Sequence, residues 1–190
     1  MTPSTPDSRQ SEVYSPEGLL KYLRDEQVFF EHIQHPALHT VEEARTFRAA
    51  SSQGTGDQSD RREAFVKNLF LRDRSGMELL LVAESRRSVN LQRLRAELGL
   101  RRLSFASPES LWEALAVKPG SVSPLALINA DPARVAFYAD ESLREVEWIH
   151  FHPLSNEHTV TLRVSDWCQL SSHWGFPPNW ISLSEHNADL

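Results

Sequence analysis

The sequence predicts a single α/β domain built on a mixed, partly antiparallel sheet with flanking helices. Segments with helix-start signals alternate with runs rich in β-branched and aromatic residues. Some of these runs are separated only by a short turn, as in an antiparallel hairpin. The chain has 190 residues, of which 40% are hydrophobic, so it can bury one sizeable core but is too short for two large domains.

Helices are predicted where a capping residue precedes apolar residues at helical spacing. Ser15 starts the first helix, and Thr40 with Glu43 forms a capping box for the second. The predicted helices are 16–26, 41–48, one capped by Asn90 and ended by Gly99, and one from Ser107 with Leu111, Trp112 and Leu115 on its apolar face. Ser165 and Asp166 predict the cap of a short final helix.

Strands are predicted from β-rich runs that are bounded by turn residues. These runs are 28–35, 65–72, 77–84, 134–140, 147–153 and 159–164. Residues 73–76 separate two of them, which predicts a hairpin with a four-residue turn. The segments 51–63 and 119–124 are predicted to be loops. The aromatic, Pro-rich segment 174–183 is expected to pack on the surface of the domain.

Both ends of the chain are predicted to be tails. Residues 1–13 are rich in Pro, Ser and Thr and are expected to be disordered, 14–184 form the domain, and 185–190 form a C-terminal tail. No run approaches the roughly 20 apolar residues of a membrane span, and the first residues lack an apolar signal-peptide core. We therefore expect a cytoplasmic protein without a membrane partner.

Charge, cysteine content and missing motifs narrow the classes of function. A net charge of −6 argues against binding nucleic acid by bulk charge alone, although a local basic patch could still do so. The only cysteine, Cys168, excludes an internal disulfide and a cysteine-based zinc site. Phosphate-loop, dinucleotide-binding, metalloprotease and nucleophile-elbow motifs are missing. His150 and His152 share one strand face, but no further ligand cluster supports a metal site. We therefore expect no bound catalytic metal.

Lys67 and Asn68 form a polar pair at the start of an otherwise apolar strand. Lys67 either extends to water from the strand end or contacts a phosphate or carboxylate at the edge of a cleft. Asn68 is either a strand-edge residue or a polar contact to a substrate. Because a strand alternates faces, only one of the two side chains is expected to reach a substrate directly, and we expect it to be that of Lys67.

Two further segments carry candidate site residues. The 120–124 loop combines a glycine, two hydroxyls and a proline, so it is either an ordinary turn or a loop whose backbone N–H groups bind a carbonyl or a developing oxyanion. His152, in a Phe-His-Pro segment, is either a packed histidine or a group that lines a pocket. Asp140 and Asn156 are more typical of turns or caps.

A set of segments occurs in a characteristic order along the chain. They are HPALHTVEEA (35–44), KNLFLRD (67–73), LLLVAE (79–84), RLSFASPESL (102–111), VKPGSVSPLALIN (117–129) and FHPLSNEHTVTL (151–162). Together they resemble the YbaK/ProX family of free-standing aminoacyl-tRNA deacylases, which are related to the editing domain of bacterial prolyl-tRNA synthetase. The resemblance covers about residues 15–183 and is strongest to the branch that clears Ala from tRNA(Pro).

The resemblance implies an α/β fold with a mixed sheet and a pocket on one side, with no metal or cofactor. It also implies hydrolysis of the ester that joins a wrong amino acid to the 3′-terminal adenosine of a tRNA. It implies that Lys67 anchors the terminal phosphate, that the G-x-x-x-P loop holds the aminoacyl group, and that His152 lines the pocket. The candidate catalytic residues are Lys67, Gly120, Ser121, Ser123 and His152. The candidate substrate-binding residues are Thr40, Asn68, Val122, Pro124 and Phe151. The implied partner is aminoacylated tRNA(Pro), bound by a monomer or weak homodimer.

Two positions depart from the pattern of the family. Phe65 stands where relatives commonly carry small or His residues, and Gly175-Phe176-Pro177 differs from the usual Gly-His-x-Pro. Both differences bear on which amino acid is removed.

A second class of function stays open, namely a non-catalytic module of the same fold that binds tRNA or an amino acid. Four basic residues either contact tRNA backbone or form a solvated charged face: Arg61, Arg62, Arg72 and Arg74.

Overall fold

A mixed sheet flanked by helices forms in the residues that the computed structural model describes, which are 13–38, 40–51 and 61–183. The strands of this part are β1 (Phe30–Gln34), β2 (Glu63–Asp73), β3 (Glu78–Glu84), β4 (Leu103–Phe105), β5 (Val135–Asp140), β6 (Trp148–Phe151), β7 (His158–Arg163) and β8 (Asn179–Ile181). Their order is β1-β7-β6-β2-β3-β5-β8, with β4 paired to β2. Parallel and antiparallel pairs occur together, so the predicted fold class is confirmed.

The helices begin where side chains cap them. Those in the described residues are α1 (Pro16–Asp25), α2 (Val41–Ser51), α3 (Leu91–Glu97), α4 (Pro108–Leu115) and α5 (Val164–His173), with 3-10 helices at Pro124–Asn129 and Glu141–Glu145. The Ser15 hydroxyl accepts from the Gly18 N–H at 3.1 Å. Thr40 and Glu43 exchange bonds of 3.1 and 3.3 Å, which confirms the predicted capping box. Asn90 caps α3 as predicted.

The start of α5 differs from the prediction. The helix begins at Val164, and Arg163 takes the cap position without a side-chain bond. Ser165 therefore lies inside the first turn, and its hydroxyl is 3.3 Å from the Asp166 carboxylate. The predicted cap was wrong because β7 runs straight into the helix, so the end of the strand fixes where the helix starts.

The predicted hairpin is confirmed. β2 and β3 pair antiparallel, and the Asp73 carboxylate accepts from the N–H groups of Ser75 and Met77 at 2.8 and 3.0 Å. Gly76 has φ of 96°, a conformation that favours glycine. The turn residues therefore determine the register of the two strands that carry the polar pair.

Two strands were not predicted. β4 and β8 have three residues each, which is too short for a recognisable period. β8 pairs parallel with β5 at the sheet edge, and Phe176 just before it is buried. The segment 174–183 thus extends the sheet and fills the core, whereas the sequence predicted only surface packing.

The main core lies on one face of the sheet, against α1, α4 and α5, and a second apolar cluster under α3 lies on the other. In α4 the buried stripe consists of Leu111, Ala114 and Leu115, at helical spacing. Trp112 falls outside this stripe and is 56% exposed. Its predicted place on the apolar face was therefore wrong.

The strand β2 changes partner along its length. Its first residues, 63–65, pair parallel with β6, and its last, 71–73, pair with β4. Between them, residues 66–70 have no strand partner on this side in the described part of the chain, while β3 pairs on the other side throughout. The sheet therefore parts at 66–70, the stretch that contains the polar pair.

The predicted tails 1–13 and 185–190 lie outside the described residues apart from Val13, and so does most of the predicted loop 51–63. Within the described ranges, no helix has the length and apolar character needed to span a bilayer.

Candidate active site

A cavity of about 230 Å³ opens where β2 and β6 part. Its polar lining consists of His35, Thr40, Lys67, Asn68, His150, His152 and Thr159. Its apolar lining consists of Ile33, Leu38, Ala44, Phe47, Phe65, Val66, Val122 and Phe151, with Gly120 at the loop. Among these described lining residues there is no carboxylate. The polar side chains of the site are thus imidazoles, hydroxyls, one ammonium and one amide.

Strand register explains why these side chains meet. Phe65 of β2 lies beside His150 of β6, with ring centroids 4.4 Å apart. His152 lies two residues beyond His150 and so falls on the same face, as the sequence predicted. The helix α2 covers this face, since its residues Ala44 and Phe47 line the cavity. The cavity therefore lies between the sheet and α2.

Lys67 lines the cavity with its ammonium held at the wall. The ammonium donates to the backbone carbonyls of Ser85 and Arg87, which follow β3. An ammonium has three N–H donors, so one remains for a bound group. The simple strand-end reading, with the amine extended into water, does not describe this arrangement.

Asn68 points towards the opposite face and holds the 120–124 loop. Its side-chain amide donates to the Val122 carbonyl at 2.9 Å. Phe70, two residues on, lies in the main core, whereas Leu69 packs with the second cluster on the side of Lys67. The two polar side chains therefore diverge, as alternation predicts. Both residues nevertheless line the cavity, because the sheet is open between β2 and β6.

The hydroxyls of Ser121 and Ser123 do not reach the cavity. Ser121 accepts from the Asn156 N–H at 3.1 Å, and Ser123 is fully buried and accepts from the Leu125 N–H at 3.2 Å. Pro124 is buried as the first residue of a 3-10 helix. These three residues hold the loop in place, which corrects the expectation that they touch a bound molecule. The loop reaches the cavity through Gly120 and Val122.

His152 is half-buried and oriented by one hydrogen bond. Its Nδ1 lies 2.9 Å from the His158 carbonyl, which can only accept, so Nδ1 carries the proton and Nε2 keeps a lone pair. Burial lowers the pKa of His152, and the nearby His35 lowers it further. The imidazole is therefore neutral at neutral pH and can accept a hydrogen bond.

The remaining two substrate-binding candidates also line the cavity. Phe151 is buried in the core below it. Thr40 lies at the rim, where its hydroxyl caps α2.

Sequence reasoning missed His35 as a lining residue, although it opens the HPALHTVEEA segment. Its Nδ1 donates to the Pro36 carbonyl at 2.9 Å, so its Nε2 accepts from the Thr159 hydroxyl at 2.8 Å. Its ring lies 6.1 Å from that of His152 and 5.2 Å from that of Phe47. The signal was available: His35 ends the predicted strand 28–35, two residues after Ile33, and so is expected on the same face.

The H-x-H pair does not form part of a larger ligand set. His150 contacts the Thr161 hydroxyl at 2.9 Å through Nδ1 and lies 3.3 Å from the Glu63 carboxylate through Nε2. In the described part of the chain, no group of three or more His, Cys, Asp or Glu side chains is arranged to hold a metal ion.

The two departures from the family pattern differ in their relation to the cavity. Phe65 lines it, whereas Phe176 lies in the main core.

Of the basic residues considered for tRNA contact, Arg61 is paired with Glu31 at 2.7 Å, and Arg74 lies in the hairpin turn at the far end of β2. Seven residues of extended chain, roughly 23 Å, separate Arg74 from Lys67.

Comparison with known proteins places this fold and site in a family. The family described as aminoacyl-tRNA editing domain matches residues 35–170. The prolyl-tRNA editing protein ProX of Acetoanaerobium sticklandii is 29% identical over 151 residues, covering 79% of this chain and 86% of that protein. Prolyl-tRNA synthetase associated domain-containing protein 1 of Xenopus laevis is 33% identical over 165 residues, covering 84% and 92%.

A solved structure supports the fold. A crystal structure described as a proposed trans-editing enzyme for prolyl-tRNA synthetase superposes with a TM-score of 0.65, covering 92% of this chain and 100% of that one at 17% identity. The family match spans more than half of the chain, and the Xenopus laevis protein shares a third of its residues over most of it. The chain therefore belongs to the aminoacyl-tRNA editing domain family, the YbaK/ProX group that its motifs resemble.

Proposed function

We propose that this protein is a trans-editing deacylase that hydrolyses the aminoacyl ester of mischarged tRNA(Pro), with alanine as the amino acid removed. The observation that carries the proposal is the meeting of Lys67, His152 and the Gly120–Val122 backbone around one cavity. Family membership and the name of the Acetoanaerobium sticklandii relative support the reaction and the tRNA. The alanine branch rests on the Lys-Asn-Leu-Phe-Leu and Gly-Ser-Val-Ser-Pro segments.

The loop supplies the group that polarises the ester. Among the described residues, the N–H groups of Gly120 and Val122 have no acceptor, and both residues line the cavity. Such N–H groups stabilise the oxyanion that forms when water attacks an ester carbonyl. Asn68 and Ser121 keep this loop in position through their hydrogen bonds. The loop thus acts through its backbone.

Water is the nucleophile in this proposal. No serine, cysteine or carboxylate side chain is among the described lining residues, and the two lining hydroxyls are already engaged, that of Thr40 as the cap of α2 and that of Thr159 with His35. The Nε2 lone pair of the neutral His152 accepts a hydrogen bond from the attacking water or from the substrate amine. An aminoacyl ester is activated, so a held water and a polarised carbonyl suffice for a useful rate.

Lys67 anchors the nucleotide. Its third N–H donor is free for the phosphate that links the terminal adenosine to the preceding nucleotide, and such charge-assisted bonds are short and strong. The two carbonyls that accept from its ammonium fix its position before the substrate arrives. The amine therefore loses little side-chain entropy when it binds.

Selection for alanine is assigned to the apolar wall. Ile33, Phe47 and Phe65 line the cavity and leave limited room beside the ester. A small pocket admits a methyl group and disfavours the larger proline ring, and each extra methylene is worth about 1–3 kcal/mol. Phe65 is the residue by which this chain differs from its relatives at this wall.

A deacylation panel tests the proposal. Purified protein is incubated with tRNA(Pro) charged with Ala, Cys, Ser, Thr or Pro, and with Ala-tRNA(Ala) as the control for tRNA choice. Fast release of Ala from tRNA(Pro), with Pro-tRNA(Pro) spared, is the expected result. Binding of these tRNAs without release of any amino acid would instead support a non-catalytic binding module.

A further inference from the structure

Four cationic side chains lie together on and around the segment that follows β3. We call them the basic cluster: Arg45, Lys67, Arg86 and Arg87. Arg45 donates to the Ser85 hydroxyl at 2.7 Å, and Lys67 donates to the Ser85 carbonyl at 3.3 Å. Arg86 and Arg87 belong to the segment itself. The cluster therefore joins α2, β2 and the β3–α3 connection.

The cluster carries an excess of positive charge at the surface. Glu84 accepts from Arg86 at 3.1 Å and lies 3.8 Å from Arg45, and Asp140 lies 3.7 Å from Arg87. Both acids are largely covered, with side chains 17% and 1% exposed, whereas Arg86 is 79% exposed. Because these two acids are covered and Arg86 is exposed, positive charge is presented at the surface here, although the whole chain has a net charge of −6.

The basic cluster borders the cavity. Lys67 lines it, and the Arg45 guanidinium lies 5.4 Å from the ring of Phe65, another lining residue. The Nε of Arg45 is itself buried, but the side chain as a whole is 34% exposed, so the outer part of its guanidinium is open to a bound group. A chain that leaves the cavity on this side would meet these cations.

We infer that the basic cluster, through Arg86 and Arg45, binds backbone phosphates of the single-stranded 3′ end of an RNA whose terminal nucleotide lies in the cavity. The inference rests on the proposed function, because a nucleotide in the cavity must continue outward as phosphodiesters. Guanidinium groups match phosphate geometry in a bidentate way and are weakly hydrated, which suits an exposed phosphate track. Lys67 binds the first phosphate, and the arginines bind those that follow.

The test measures equilibrium binding of uncharged tRNA(Pro) at several salt concentrations, which requires no hydrolysis. The variants are Arg86→Glu and the neutral Arg86→Gln. The matched control is Lys21→Glu, which makes the same charge change as Arg86→Glu in an equally exposed ion pair on α1, against the opposite face of the sheet. We expect Arg86→Glu to weaken binding about tenfold at low salt and to reduce the slope of log Kd against log salt by about one. Arg86→Gln gives a smaller loss, and Lys21→Glu binds like the wild type.

Equal binding by the wild type and Arg86→Glu, or equal losses in Arg86→Glu and Lys21→Glu, would overturn the inference. A polyglutamate peptide that binds the wild type as tightly as tRNA would also overturn it, since the cluster would then recognise acidic chains in general. If the wild type releases no amino acid but Arg86→Glu still loses tRNA binding, the phosphate-binding surface is supported and the deacylase function is rejected. If Arg86→Glu binds and deacylates the tRNA as the wild type does, the deacylase function is supported and the phosphate-binding surface is rejected.

Discussion

His152 illustrates how burial and one hydrogen bond determine the chemistry of a side chain. The bond from Nδ1 to the His158 carbonyl directs the lone pair to Nε2, and burial lowers the pKa of the ring below its usual value near 6.5. Protonation would remove the acceptor and place a charge in a covered site. The residue therefore works as a neutral acceptor across the physiological range.

This arrangement predicts the pH dependence of deacylation. With the uncatalysed rate subtracted, the single-turnover rate on Ala-tRNA(Pro) should not fall on its acid side until the pH is below about 6.5, because the folded pKa lies below that of an exposed histidine. The rate should then drop up to tenfold per pH unit. Rates measured from pH 5 to 8 check this, and an acid limb centred above pH 6.5 would contradict it.

Phe65 is predicted to set the size limit of the cavity. Its ring packs against that of His150, with centroids 4.4 Å apart, and forms part of the apolar wall. Phe65→Ala should enlarge the cavity and lower the ratio of Ala to Pro release from tRNA(Pro) about tenfold or more. Phe105→Ala, which removes a ring that is 66% exposed on β4, is the control and should leave the ratio unchanged. An unchanged ratio in Phe65→Ala would place the size filter elsewhere.

At the residue scale, most of the candidate residues from the sequence line the cavity, but the sequence misjudged how some of them act. Lys67, Asn68 and His152 were predicted and do line the cavity. Ser121 and Ser123 were expected to touch the substrate, because a hydroxyl in a tight loop can either bind a substrate or hold the loop, and the sequence does not distinguish the two roles. Ser121 instead accepts from the distant Asn156 N–H, a bond formed only in the folded chain, and Ser123 caps the 3-10 helix that begins at Pro124.

At the scale of elements, local signals account for what could be predicted. Capping side chains act within four residues, so the starts of α1, α2, α3 and α4 followed from the sequence. β4 and β8 exist because longer strands pair with them, which no local window contains. The parting of β2 from β6 depends on the same long-range pairing, so the cavity itself could not be located from the sequence.

The two tryptophans of α4 and α5 give a stability prediction for these elements. Trp112 is 56% exposed, whereas Trp167 is fully buried against Phe137 and Phe151. Trp112→Ala should change the free energy of unfolding by at most about 0.5 kcal/mol. Trp167→Ala should lower it by about 3–5 kcal/mol, because it leaves a large cavity. Urea denaturation of both variants measures the difference, and comparable losses would mean that α4 is packed differently.

At the scale of the whole molecule, the sheet accounts for both the position and the character of the site. One face carries the main core, and the other carries the cavity under α2. The loop held by Asn68 reaches the cavity through the gap between β2 and β6, so backbone N–H groups and side chains from both faces meet there. The acidic net charge is compatible with an RNA substrate because the basic cluster is concentrated at the rim.

We propose that this cavity hydrolyses the aminoacyl ester and that Lys67 anchors the nucleotide. The most direct measurement is the rate of Ala release from Ala-tRNA(Pro) by the wild type, by Lys67→Ala and by the control Lys21→Ala. Loss of a charge-assisted bond of about 1.5–3 kcal/mol predicts at least a tenfold decrease in kcat/KM for Lys67→Ala, with Lys21→Ala equal to the wild type. Turnover by Lys67→Ala at the wild-type rate would contradict the account.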